Sequence, residues 1–69
     1  LEALDRVPQL LQLDISYHAI TRLQGLGRLT HLQELNLSYN GINRIENIFH
    51  LRQLRVLNLT GNQITTIPT

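Results

Sequence analysis

Cysteine, methionine, tryptophan and lysine are all missing from this chain of 69 residues. Without cysteine the span has no disulfide framework, no thiol nucleophile and no thiolate ligand for a metal. The same absence leans toward a reducing compartment, because disulfides persist in oxidising ones. No apolar run approaches the ~18 residues that suggest a membrane-crossing helix, so no membrane partner is expected. No leader pattern is visible either. A net charge of +1, with every basic residue an arginine, provides no field that would draw nucleic acid. A glycine-rich phosphate loop, a converging carboxylate pair and a workable Ser–His–Asp set are absent too, so the chain is not expected to be an enzyme or to hold a cofactor. His18, His31 and His50 stand at unlike positions and do not converge on a metal.

What is present is a repeat. Leu32, Leu35, Leu37 and Asn40 recur 22 residues later as Leu54, Leu57, Leu59 and Asn62, and 22 residues earlier as Leu10, Leu13, Ile15 and His18. The frame continues past the Asn through Ile20, Leu23, Leu26 and Leu29, then Ile42, Ile45, Ile48 and Leu51, then Ile64 and Ile67. Leu1, Leu4 and Val7 lie on the same grid. Every other position of this frame is Leu, Ile or Val, and only seven hydrophobic residues stand off it: Ala3, Leu11, Tyr17, Ala19, Tyr39, Phe49 and Val56. A fixed period of this size implies units that bury their apolar faces only against neighbours. The units run 1–9 (the end of a preceding repeat), 10–31, 32–53 and 54–69 (partial), within one domain over 1–69. A frame that starts in mid-period, in a chain without methionine, is expected to be a fragment with flanking repeats.

Alternation within each unit predicts short strands near Gln12–Ile15, Glu34–Leu37 and Val56–Leu59. Strands one period apart stack side by side and run parallel. The return segments have apolar residues every three positions, which fits 3₁₀ or irregular turns rather than an amphipathic α-helix with mixed spacing. Where the backbone leaves the sheet, its N–H and C=O groups lose strand partners. An inward Asn amide offers two donors and an acceptor to replace them, so Asn40 and Asn62 are expected to form a ladder. His18 breaks the series, and the first turn is expected to be looser or differently partnered, with the His side chain turned inward.

The pattern L-x-x-L-x-L-x-x-N-x-I-x-x-I-x-x-I-x-x-L resembles the leucine-rich repeat family. Its 22-residue period resembles the subclass typified by the nuclear regulatory subunit of protein phosphatase 1. The resemblance implies an α/β fold: a right-handed solenoid with a parallel β-sheet on its concave side and 3₁₀ or irregular turns on its convex side. It also implies a protein-binding role in the cytoplasm or nucleus, centrosomal and ciliary sites included. His18 and Ile67–Pro68 depart from the pattern.

On that concave sheet the alternating side chains form columns: Gln12, Glu34 and Val56; Asp14, Asn36 and Asn58; Ser16, Ser38 and Thr60; Tyr17, Tyr39 and Gly61. Asp14, Tyr17, Glu34, Asn36, Tyr39 and Asn58 are the candidate partner-binding residues, because tyrosine joins a large apolar body to a polar tip. The outer arc sets Arg22 with Arg44, and Arg6 and Arg28 with His50. Phe49 aligns with Asp5 and Gly27 and is expected to be partly exposed. The leading reading is a protein–protein interaction module with its partner, of unknown identity, on the concave sheet. The alternatives are an architectural spacer or docking segment of a larger assembly, and a piece of an extracellular receptor or adhesion ectodomain. Only the last would use the formal glycosylation sequons at Asn36 and Asn58.

Overall fold

In the computed structural model, which describes Leu4 and residues 6–65, the 22-residue grid becomes a three-stranded sheet. The strands are β1 (Gln12–Asp14), β2 (Glu34–Asn36) and β3 (Val56–Asn58), in the order β1-β2-β3. Neighbours pair in parallel, and one repeat step carries each residue to its partner: Gln12 to Glu34 to Val56, Leu13 to Leu35 to Leu57, Asp14 to Asn36 to Asn58. The expected grid positions Leu1 and Ile67, and the departure at Pro68, lie outside the described residues.

Each strand stops one residue earlier than alternation predicts, and the cause is local. Asp14 Oδ1 accepts the Ser16 N–H (2.9 Å) and the Ser16 hydroxyl (2.7 Å). Asn36 does the same with Ser38 at 3.0 and 2.7 Å, and Asn58 accepts the Thr60 N–H at 3.0 Å. These turns, in which a side-chain oxygen captures the N–H two residues on, compete with strand geometry and curl the chain away from the sheet. Some pairing continues past the strands, with Ile15 and Leu37 donating their N–H to the Asn36 and Asn58 carbonyls (2.8 and 2.9 Å).

In the return segments the three-residue apolar spacing coincides with backbone hydrogen bonds. Leu29 donates to Leu26 O and Leu32 to Leu29 O (3.2 and 3.1 Å), and Leu51 donates to Ile48 O and Leu54 to Leu51 O (3.0 and 3.2 Å). Successive i→i−3 bonds thus link the grid residues themselves and bring their side chains onto one inward line. Among the described residues no α-helix occurs.

The core lies where two repeats meet. Leu23, Leu26, Leu29, Leu32, Leu35, Leu37 and Ile42 are fully buried, each contributing about 1.5–3 kcal/mol of transfer free energy. Leu10, Leu13, Leu54, Leu57, Leu59 and Ile64 pack against this cluster but stay partly open. A repeat unit is sealed only when it has a neighbour on each side.

Two polar ladders bind the stack. In the inner one, Asn40 Nδ2 donates to Leu37 O (2.9 Å), Ile15 O (3.0 Å) and Ser38 O (3.3 Å), while its Oδ1 accepts His18 N and Ile20 N, both at 2.9 Å. Asn62 repeats the motif, donating to Leu37 O (2.8 Å) and Leu59 O (3.1 Å) and accepting Ile42 N (3.0 Å). An outer ladder, absent from the sequence reading, joins Asn47 Nδ2 to Leu23 O (2.7 Å) and His50 Nε2 to Leu26 O (3.0 Å).

His18 corrects the expectation that it turns inward: it is exposed, and its Nδ1 donates to Ser16 O of its own turn (2.6 Å). The turn also differs in backbone, because Ala19 adopts φ +55 while its counterparts Gly41 and Gln63 do not take positive φ.

Candidate functional site

Between the strand ends and the first turns, exposed side chains are held by hydrogen bonds and stacking. On the open face of the sheet, Gln12 Nε2 donates to Glu34 Oε2 across β1 and β2 (2.9 Å), and Val56 continues that column at 47% exposure. In the next column Asp14, Asn36 and Asn58 close the strand-ending turns described above. Each has an oxygen committed to the fold, so a partner meets only what remains of these groups. Gln12, Asp14, Glu34, Asn36, Val56 and Asn58 line an open trough of about 460 Å³ along this face.

Tyr17 and Tyr39 are not on the sheet. They stand past its end, in left-handed backbone conformation at φ +60 and +56, with Gly61 at φ +76 completing the column. The alternation that places Gln12 and Asp14 on the open face ceases at the turn, so the tyrosines form a rim beside the trough rather than a fourth column within it. Pairing reaches this far: Tyr17 N donates to Ser38 O (3.1 Å) and Tyr39 N to Thr60 O (2.8 Å). The backbones under the two rings are therefore held one strand spacing apart.

The rings stack with centroids 4.7 Å apart and planes 11° from parallel. Gly61 is the seat for this arrangement. A Cβ there would lie 2.5 Å from Tyr39 Cδ1 and 2.8 Å from Cε1, so the ring occupies the space that any other residue would fill. Tyr39 is thus lodged between Gly61 and Tyr17, at 50% exposure, while Tyr17 is 73% exposed and keeps one ring face open.

Electrostatics add a fixed anion next to the aromatic rim. The Ser16 N–H and then the Ser16 hydroxyl hold the Asp14 carboxyl below its ordinary value of 3.8, with smaller help from the nearby His18 and Asn36. On the outer arc Glu46 faces two arginines, Arg22 Nε at 3.3 Å and Arg44 Nε at 3.9 Å, which offsets the basic column there. Phe49, in the return segment after β2, is 66% exposed. Among the described residues no group of three or more His, Cys, Asp or Glu side chains is placed to hold a metal ion, and no helix is long and apolar enough to cross a membrane.

The six candidate binding residues thus fall into two sets. Asp14, Glu34, Asn36 and Asn58 line the trough, and Tyr17 with Tyr39 forms the rim. Asn40 and Asn62 belong to the inner ladder. Sequence reasoning missed the roles of Asn47 and Gly61. The available signal was the alignment of Asn47 with Gly25, since both residue types tolerate positive φ and both adopt it here, at +59 and +79.

No curated protein matches the chain. A protein-family model described as leucine-rich repeats, two copies, matches residues 30–69, more than half of the chain.

Proposed function

This chain belongs to the leucine-rich repeat family, and on that premise we propose that it is a protein–protein interaction module holding its partner on the open face of the sheet. Repeats of this family are in general non-enzymatic protein-binding modules. In this reading the sheet is the concave side of a right-handed solenoid of the 22-residue subclass, and further repeats flank it in the parent protein. The half-open leucines at both ends of the stack support those flanking repeats.

The observation that carries the proposal is the exposed tyrosine pair, stacked and seated on Gly61 at the rim of a hydrogen-bonded sheet. Tyr offers a large contact area with few rotors to immobilise, and interface hot spots are enriched in it. Holding the rings before binding lowers the ordering cost that association otherwise incurs. The compartment proposed is the cytoplasm or nucleus, supported by the absence of cysteine.

A photo-crosslinking side chain placed in turn at Gln12, Asn58, Arg22 and Arg44 tests which side meets the partner in cells. Crosslinks from Gln12 and Asn58, weakened by Tyr39→Ala, support the concave module. Crosslinks from Arg22 and Arg44 alone would refute it. They would favour the second reading, a docking segment that uses its outer arc, to which the exposed Phe49 gives some support.

A further inference from the structure

Charge is segregated on this molecule in a way that the net value of +1 hides. The two columns of the open face, Gln12–Glu34–Val56 and Asp14–Asn36–Asn58, carry two carboxylates, Asp14 and Glu34, and no arginine. Arg22, Arg28, Arg44 and Arg52 stand in the return segments, Arg6 precedes the first repeat and Arg55 precedes β3. The trough is therefore anionic on its β1–β2 side, with exposed His18 near Asp14. Beside that anion stands the aromatic column with one free face, that of Tyr17, since Tyr39 is covered by its neighbours.

We propose that this face takes an extended, arginine-bearing segment of a partner protein, with a guanidinium laid on the free face of Tyr17 and the carboxylates of Asp14 and Glu34 supplying the counter-charge. The inference rests on the concave-module reading above and specifies its ligand. Arginine suits the site better than lysine. Its planar cation stacks on an aromatic ring and forks onto a carboxylate, whereas ammonium is a strongly hydrated point charge. An extended segment suits the trough, which runs across the strands from Gln12 to Val56 along the sheet.

The charge contribution can be isolated cleanly. Asp14→Asn keeps the strand-ending turn, because Asn36 and Asn58 make the same turn with an amide oxygen at the equivalent positions. Combined with Glu34→Gln it removes both negative charges from the face while leaving the backbone bonds in place.

The experiment is selection of a displayed random-peptide library against the folded chain, with binders retested on three variants whose fold is checked by circular dichroism. Tyr17→Ala removes the open ring, the Asp14→Asn/Glu34→Gln pair removes the charge, and Arg28→Ala on the outer arc is the control. Expected are arginine-enriched peptides that bind the double variant roughly 3–10-fold more weakly, lose affinity with added salt, lose a similar factor on Tyr17→Ala and ignore Arg28→Ala. Peptides that depend on Tyr17 but show no enrichment in arginine would overturn the charge inference and leave the interaction module standing. Peptides indifferent to both the Tyr17 and the charge variants, or no binders at all, would overturn both.

Discussion

Replacing Asn40 with alanine removes five hydrogen bonds at once, but their losses are unequal. Leu37 O still accepts from Asn62, and Ser38 O still accepts from Tyr17 N. The groups left without their partner are His18 N, Ile20 N and Ile15 O. A stranded buried group costs about 1–3 kcal/mol, and the two part-buried amides fall at the low end because water can reach them. The sum points to a loss of about 2–4 kcal/mol, large for a chain of this size. Asn62→Ala leaves fewer groups stranded, chiefly Ile42 N and one bond to Leu59 O, and is expected to cost about half as much. Urea titration gives the order, with Arg28→Ala as a neutral reference within about 0.5 kcal/mol. Hydrogen exchange gives the location, since protection of the His18 and Ile20 amides is expected to fall first in Asn40→Ala. An Asn40→Ala variant as stable as Arg28→Ala, or one whose His18 and Ile20 amides keep their protection, would refute the ladder account.

Three further outcomes follow from the same geometry. Gly61→Ala is expected to cost about 1–2 kcal/mol from positive φ alone and to unstack the tyrosines; unchanged near-ultraviolet circular dichroism would show that the ring has another seat. Leu35→Ala, at the centre of the core, is expected to cost about 2–5 kcal/mol, whereas exposed Val56→Ala stays within about 0.5 kcal/mol, both read from urea midpoints. Asp14 gives a pH dependence of known sign. Its folded-state pKa is depressed, so the stability it contributes is present above the ordinary value of 3.8 and is lost as pH falls through the folded value. Asp14→Asn is therefore expected to flatten the acid limb of the stability curve below about pH 4, and an acid limb identical to that of the parent would count against the Ser16 hydrogen bonds as its cause.

Period and register were legible in the sequence because one rule repeats without insertion. Leu13, Leu35 and Leu57 could face only one way once the 22-residue step was seen, and the i→i−3 turns follow from the spacing of Ile48, Leu51 and Leu54. The inner ladder was legible in Asn40 and Asn62 for the same reason. What stayed hidden is what a local hydrogen bond decides. The turns made by Asp14, Asn36 and Asn58 end the strands and carry Tyr17 and Tyr39 off the face that alternation assigns them. His18 went outward, where a carbonyl of its own turn lies within reach of Nδ1. The stacking of the tyrosines depended on a side chain that is missing at Gly61, and a column read only for what is present passes over that.

The inner ladder also has a direction. Asn40 serves the turn of the repeat before it, and Asn62 in its place serves Ile42 and Leu37. A unit therefore makes its last hydrogen bonds only after its successor has been synthesised. On a ribosome, where the amino-terminal part emerges first, ordering of the stack trails the growing chain by about one 22-residue period. The same direction bears on how such arrays lengthen in evolution. A duplicated unit brings with it the amide that completes its predecessor, so a copy inserted in frame leaves every older turn satisfied.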